Sequence, residues 1–231
     1  MRDIGVVIVA AGTGSRALSA SGELKQFRWI AGRPMLLHSI QAFHARDDVA
    51  MVVCVLPRDR VGDPPPWIYQ CDLERLLLSV GGTERADSVR NGLEDVPGDL
   101  PFLMVHDAAR PLVPSDMIDR VVAEMRNGVV AVPALPVIDT IKEAGADRRV
   151  LRTINRAALF RAQTPQGFPR EILMEAHKVA ITNGTRATDD AALCEAIGAT
   201  VRLVPGSEIA MKITSDADFA AAETLAARGS G

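Results

Sequence analysis

The chain reads as an α/β protein with a mostly parallel central sheet flanked by helices on both faces. Strand-length apolar runs alternate with stretches of helical period, which is the pattern such a sheet requires. With 48% hydrophobic and 24% charged residues, the composition is that of a globular chain and excludes disorder, collagen-like repeats and a coiled coil. A single domain over 1–231 is the simplest organisation, with 136–160 projecting as a β-arm and 228–231 as a tail.

The elements follow in order. Ile4 to Ala10 is a continuous apolar run, a first buried strand. Pro34 is placed to open a helix at its first position, with Leu36, Ile40 and Phe43 on one face. Ala50 to Leu56, stopped by Pro57, is the second strand. Pro64, Pro65 and Pro66 break the chain, and a short helical segment leads to the strand Leu76 to Val80, which ends at Gly81 and Gly82. Val89, Leu93 and Val96 mark a helix, and Phe102 to His106 a strand. Ile118, Val121, Val122 and Met125 mark another helix, with Ser115 as its N-cap and Gly128 at its end, before the strand Val129 to Val132.

After Pro136 the rhythm changes. Thr140 to Glu143 and Val150 to Ile154 read as a polar hairpin around Gly145 with few core-facing residues, so it projects. Helical spacing returns at Ile172, Leu173, Ala176 and Val179, then from Asp189 to Ile197. Thr200 to Val204 is a late strand, and the last helix starts near Ser215.

Charge narrows the function. Lys and Arg number 26 against 29 Asp and Glu, a net charge of −3, so no global positive field draws the chain to nucleic acid or an anionic membrane. Any phosphate must be held by a local cluster. The three cysteines, Cys54, Cys71 and Cys194, show no C-x-x-C spacing and suggest neither a disulfide framework nor a zinc site. The first apolar run is too short for a signal peptide, and no stretch reaches the ~18 apolar residues of a membrane span. The expected location is the cytoplasm.

Three polar loops follow apolar runs. In the first, Val9-Ala10-Ala11-Gly12-Thr13-Gly14-Ser15-Arg16, glycines let backbone N–H groups approach an anion, and Arg16 and Lys25 add charge for phosphate oxygens. Gly12-x-Gly14-x-x-Ala17 also matches a dinucleotide fingerprint. Ser19-Ala20-Ser21-Gly22 prolongs the loop, however, and the second strand ends in Leu56-Pro57-Arg58 rather than an acid. The second loop, Gly81 to Ser88, fits either a helix cap using Asp87 or Thr83, or a ligand loop at a strand end. The third, Val105-His106-Asp107-Ala108-Ala109-Arg110-Pro111, carries Asp107 and Arg110, which taken alone read as an ion pair tying the loop. His106 reads as structural. Together the strand ends converge on one crevice, the default ligand site of this architecture.

On the arm, Asp139, Thr140, Lys142, Arg152 and Arg156 are each ordinary solvated groups when taken singly. Thr188-Asp189-Asp190 is sufficiently explained as a helix cap. Lys212, between Met211 and Ile213 in a short apolar strand, calls for an anionic partner. The chain has no G-x-S-x-G elbow, H-E-x-x-H or Walker loop, and no cysteine near a base, which leaves its basic residues to act by electrostatics.

From Val9 to about Phe219 the chain resembles the 2-C-methyl-D-erythritol 4-phosphate cytidylyltransferase family. The resemblance rests on the three loops, Lys25-Gln26-Phe27, Asp139-Thr140, Ala162-Gln163-Thr164-Pro165-Gln166, Thr188-Asp189 and Lys212-Ile213-Thr214. Ala17 and Leu24 stand where that family usually has methionine and proline. The resemblance implies a Rossmann-like nucleotidyltransferase fold, in which Gly12, Thr13, Gly14, Arg16 and Lys25 hold the triphosphate of CTP. Ala10, Ala11, Gly82, Thr83 and Ser88 would select cytosine. It implies a homodimer whose β-arm carries Thr140 and Arg156 into the partner's crevice, to bind 2-C-methyl-D-erythritol 4-phosphate with Asp107, Thr188 and Lys212. Mg2+ would be held mainly by the CTP phosphates, with Asp107 as the candidate protein ligand. Arg16 and Lys25 would meet charge developing on the phosphates, while Arg156 and Lys212 would aim the incoming phosphate. Rival readings are a cytidylyltransferase for another polyol phosphate such as ribitol 5-phosphate, an inactive nucleotide-binding module, and a nicotinamide-dependent oxidoreductase.

Overall fold

The computed structural model describes residues 1–12 and 24–228. Its first strand, β1 (Ile4–Val9), is fully apolar because both of its faces are covered. Val6 and Ile8 enter one core and Val7 the other. A small hairpin, β2 (Trp29–Ile30) and β3 (Arg33–Pro34), precedes α1 (Met35–His44). Pro34 is thus the N-cap of α1 rather than its first residue, since its amide-free nitrogen costs nothing at the edge of a two-residue ladder. Next come β4 (Val49–Leu56), the single turn α2 (Arg58–Val61), and two 3₁₀ turns leading to β5 (Leu76–Val80). They are followed by α3 (Arg85–Asp95), β6 (Phe102–Asp107), α4 (Ser115–Arg126) and β7 (Val130–Pro136).

The arm is a two-stranded sheet of its own, β8 (Ile141–Ala144) paired antiparallel with β9 (Val150–Ile154). Then follow β10 (Phe160–Ala162), β11 (Gln166–Pro169), α5 (Arg170–Asn183), α6 (Asp190–Ala196), β12 (Val201–Pro205) and α7 (Asp216–Arg228). Arg228 therefore closes a helix instead of beginning a tail, and 229–231 lie outside the described residues.

The main sheet runs in the order β10-β7-β11-β6-β1-β4-β5, with β12 alongside β7. The β6-β1-β4-β5 block is parallel, as is β12 with β7, while β10 and β11 are antiparallel insertions. Leu36, Ile40 and Phe43 of α1 and Met117 to Met125 of α4 cover one face. Val89 and Leu93 of α3, with Leu173 of α5 and Leu193 of α6, cover the other. Gly92 lets α3 approach closely, because a Cβ there would stand 2.6 Å from Val7 and 2.7 Å from Val55. A third cluster joins Phe219 and Ala222 of α7 to Ile30, Met35 and Ile213.

Several local expectations are corrected. Strands β2, β3, β10 and β11 have no counterpart in the apolar pattern, because segments this short with Pro, Gly and Gln carry no period. Ser115 is the first helical residue of α4, and Pro114 is its N-cap. Glu84 caps α3, with the Asp87 carboxylate accepting its N–H at 3.0 Å. Met211 to Thr214 forms no strand; it is an extended connection held by the Ile213 N–H donating to Ala109 O at 2.8 Å.

Candidate active site

Strand β1 is where the chain order reverses, with β4 on one side and β6 on the other, so a crevice opens beyond its carboxyl end. There Ala11 and Gly12 after β1, Gly82, Thr83, Arg85 and Ser88 after β5, Asp107 and Ala109 at β6, and Lys212 line a cavity of about 360 Å³. A larger hollow of about 770 Å³, bordered by Arg33, His38, Leu112 and Leu225, contains none of the expected site residues. The smaller cavity is the chemically furnished one.

Close backbone approach builds its walls. A Cβ on Gly81 would fall 2.1 Å from that of Ala11, and one on Gly82 would fall 2.2 Å from that of Asp87. Ser88 Oγ accepts from the Gly82 N–H at 3.1 Å and donates to Glu84 O at 3.2 Å, fixing the loop before α3. Ala10, 4% exposed, lies just beneath. Gln26 clamps the first loop by donating to Ala10 O at 2.7 Å and Gly12 O at 3.2 Å. Lys25, on the 3₁₀ turn Lys25–Phe27, donates to Ile213 O at 2.8 Å. Leu24 takes φ −63°, the angle proline would impose, so the turn keeps its shape without the ring. Thr13, Gly14 and Arg16 lie outside the described residues.

Asp107 is the electrostatic centre. Its Oδ1 accepts from Arg85 Nε at 3.1 Å and its Oδ2 from Lys212 Nζ at 2.7 Å. Burial opposes its charge, but Arg85 and then Lys212 outweigh that and hold the carboxyl below the usual carboxylate range. The other end of the Arg85 guanidinium reaches Asp190 Oδ2 at 2.8 Å, and His177 Nε2 donates to Asp190 Oδ1 at 3.1 Å. Arg110 turns away from Asp107 and donates to Ala210 O and Ala162 O, so the expected loop ion pair is not made.

His106 is structural, as expected. The Asp107 N–H donates to Thr164 Oγ1 at 3.0 Å, and Thr164 Oγ1 lies 3.2 Å from His106 Nδ1. His106 Nε2 lies 3.1 Å from Arg110 O. A neutral imidazole protonated at Nε2 satisfies the whole chain of donors and acceptors. Burial pushes this imidazole down to about 4.

Thr140, Arg156 and Thr188 are not among the residues lining this cavity. Thr140 and Arg156 are exposed on and beside the arm, with Arg156 donating to Ile138 O. Thr188 is exposed next to Asp189, which caps α6 by accepting from the Ala192 N–H at 3.0 Å. Sequence reasoning passed over Arg85, Asp190 and His177 as site groups. The only local hint was Arg85 lying inside the second loop, since its two carboxylate partners are remote in sequence.

With its glycine-bordered cavity at the switch point of a mostly parallel sheet, the chain has the Rossmann-like nucleotidyltransferase fold of the solved structures it superposes on. A crystal structure of 2-C-methyl-D-erythritol 4-phosphate cytidylyltransferase from Thermus thermophilus superposes with a TM-score of 0.80. The two are 36% identical, over 96% of this chain and 98% of that one. The family profile for 2-C-methyl-D-erythritol 4-phosphate cytidylyltransferase matches residues 4–228. A Streptomyces avermitilis protein of that name is 41% identical over 96% of this chain and 91% of its own length. A Rhodospirillum rubrum "bifunctional enzyme IspD/IspF" is 44% identical over 97% of this chain, which spans only 57% of that relative. The chain belongs to the 2-C-methyl-D-erythritol 4-phosphate cytidylyltransferase family.

Proposed function

We propose that this chain transfers CMP from CTP to 2-C-methyl-D-erythritol 4-phosphate, releasing pyrophosphate, in the non-mevalonate route to isoprenoids. The observation that carries the site assignment is the convergence of Gly12, Gly82, Thr83, Ser88, Asp107 and Lys212 on one cavity. An acceptor phosphate oxygen attacks the α-phosphorus, forming the new P–O bond, while the bond to the bridging oxygen of the pyrophosphate breaks. The acceptor phosphate, with a second pKa near ~6, is already mostly dianionic at neutral pH, so no protein base is required. The barrier is the approach of two anions, and positioned cations lower it.

Lys25 and Arg16 act on the nucleotide phosphates, and Lys212 with the partner's arm aims the acceptor. Asp107, kept ionised, accepts hydrogen bonds from acceptor hydroxyls. Ala10, Ala11, Gly82, Thr83 and Ser88 face the base, with Thr13 and Gly14 completing the phosphate loop.

Among the described residues no group of three or more His, Cys, Asp or Glu side chains could hold a metal ion. Both Asp107 oxygens already accept from cations. We read that donor set as suiting Mg2+ carried mainly by the triphosphate, with Asp107 as the candidate protein ligand and Glu84 also on the cavity wall. When bound, the metal supplies charge neutralisation of the phosphates.

We assign the arm to a homodimer. Ile138, Val150, Leu151 and Phe160 are 68%, 60%, 66% and 48% exposed, an apolar face that a second copy would cover. No helix among the described residues is long and apolar enough to cross a membrane, in keeping with a cytoplasmic enzyme. The test is magnesium-dependent pyrophosphate release with CTP and either methylerythritol 4-phosphate or ribitol 5-phosphate. Release with the first pair supports the reading, and preference for ribitol phosphate overturns the acceptor.

A further inference from the structure

The least accessible charge in this part of the molecule is not in the cavity but behind it. The Asp190 side chain is 1% exposed, yet it stays ionised against burial through its hydrogen bond from His177 and the charge of Arg85. A buried ion pair contributes little net stability compared with apolar packing, so the fold alone gives weak reason to place one here. What the pair does accomplish is geometric. One planar guanidinium spans two carboxylates, Asp107 through Nε and Asp190 through Nη1, and these two bonds fix both its plane and its position. Asp107 is then gripped from both sides, by Arg85 at Oδ1 and Lys212 at Oδ2, and the remaining lone pair on each oxygen is left for donors in the cavity.

We propose that Arg85, locked by Asp190 and His177, is a positioning residue that sets the orientation of Asp107 for the polyol hydroxyls of the acceptor. The inference rests on the reading of Asp107 as an acceptor contact. Lys212 is 45% exposed on its side chain, against 30% for Arg85, so the lysine is free to adjust to the incoming phosphate while the arginine supplies the fixed reference. A lysine at 85 would keep the charge but could not bridge two carboxylates.

Steady-state kinetics of the full chain with CTP, methylerythritol 4-phosphate and Mg2+ test this on Asp190→Asn, Arg85→Lys, Arg85→Ala and Asp107→Asn. Asp190→Asn and Arg85→Lys are expected to raise the acceptor KM about tenfold or more, with the CTP KM changed less than about twofold. Millimolar guanidinium is expected to restore the acceptor KM of Arg85→Ala, a rescue that a merely structural defect would not show. Should Arg85→Ala not fold, judged by circular dichroism, the near-isosteric Asp190→Asn carries the test. Equal rises in both KM values, or an unchanged acceptor KM in Asp190→Asn and Arg85→Lys, overturn the proposal. If Asp107→Asn itself leaves the acceptor KM unchanged, the reading of Asp107 falls and this inference with it. If Asp107→Asn alone raises it, only the role of Arg85 falls. A wild-type chain without turnover on this substrate pair overturns both.

Discussion

Lys212 Nζ stands 2.7 Å from Asp107 Oδ2, although 105 residues of chain separate them. The contact is made by a connection, not a strand. The Ile213 N–H donates to Ala109 O, and Lys25 Nζ donates to Ile213 O at 2.8 Å. The 211–214 segment is therefore pinned between the loop after β6 and the turn that carries Lys25. This brings two of the expected catalytic cations to a single peptide segment, Lys212 as one of its residues and Lys25 as a donor to its backbone.

Lys25→Ala is expected to lower turnover by a factor of hundreds, the ~3 to 4 kcal/mol typical of losing one transition-state contact. Stability should fall by only about 2 kcal/mol for the lost bond to Ile213. Turnover near normal in a folded variant, measured beside its urea midpoint, would refute the role. Arg16→Ala is expected to lower turnover by a similar factor.

If the arm acts in the partner's crevice, two variants that are each impaired at low acceptor concentration should rescue each other there. In a 1:1 mixture of Asp107→Asn and Arg156→Ala subunits, half of the dimers are mixed, and each mixed dimer holds one intact site. About a quarter of wild-type activity is expected after co-refolding. No recovery would mean that arm and crevice act within one chain.

His106 gives a pH dependence with a definite sign. Its folded pKa, lowered by burial to about 4, lies below the unfolded value, so between the two the unfolded chain binds the extra proton. Its contribution is fully present above about pH 6.5 and is lost as pH falls toward 4, about 2 kcal/mol between pH 7 and pH 5. Urea unfolding at the two pH values checks this. His106→Gln should flatten the difference, and an equally steep loss in that variant would assign it elsewhere.

Gly81→Ala is expected to force the loop after β5 away from Ala11, whose Cβ would lie 2.1 Å from the new methyl group. If both loops border the nucleotide as proposed, the CTP KM should rise about tenfold while the acceptor KM moves little. Unchanged CTP kinetics would show that these loops do not read the nucleotide.

Much of the framework was legible from residue order. The buried strands β1, β4, β5 and β6 announce themselves as continuous apolar runs, and a parallel strand covered on both faces can hardly be written otherwise. Lys212, set between apolar neighbours, called for an anion and has one in Asp107, although its side chain is 45% exposed and not buried. Strands β10 and β11 were not legible, because Phe160–Ala162 and Gln166–Pro169 are too short for a period. β11 is a strand because β6 and β7 leave a gap between them that Gly167 can enter, its Cα standing so close to α4 that a Cβ would meet Val121 at 2.5 Å, while β10 is a strand through its pairing with the end of β7.

The identity of the loops, the small residues in them and the kinds of charge they carry are local properties, and the amino-acid order settles them. Which charges meet is not local. Arg85 has Glu84, Asp87 and Arg90 as near neighbours in sequence, yet it bonds to Asp107 and Asp190, 22 and 105 positions away. Strand order brings β6 beside β1, and α6 lies on the same face as α3. A charge in a crevice pairs with whatever carboxylate the packing delivers at hydrogen-bond distance, and burial then makes leaving it unpaired too costly. The chemistry available was thus written along the chain, and its geometry was written by the sheet.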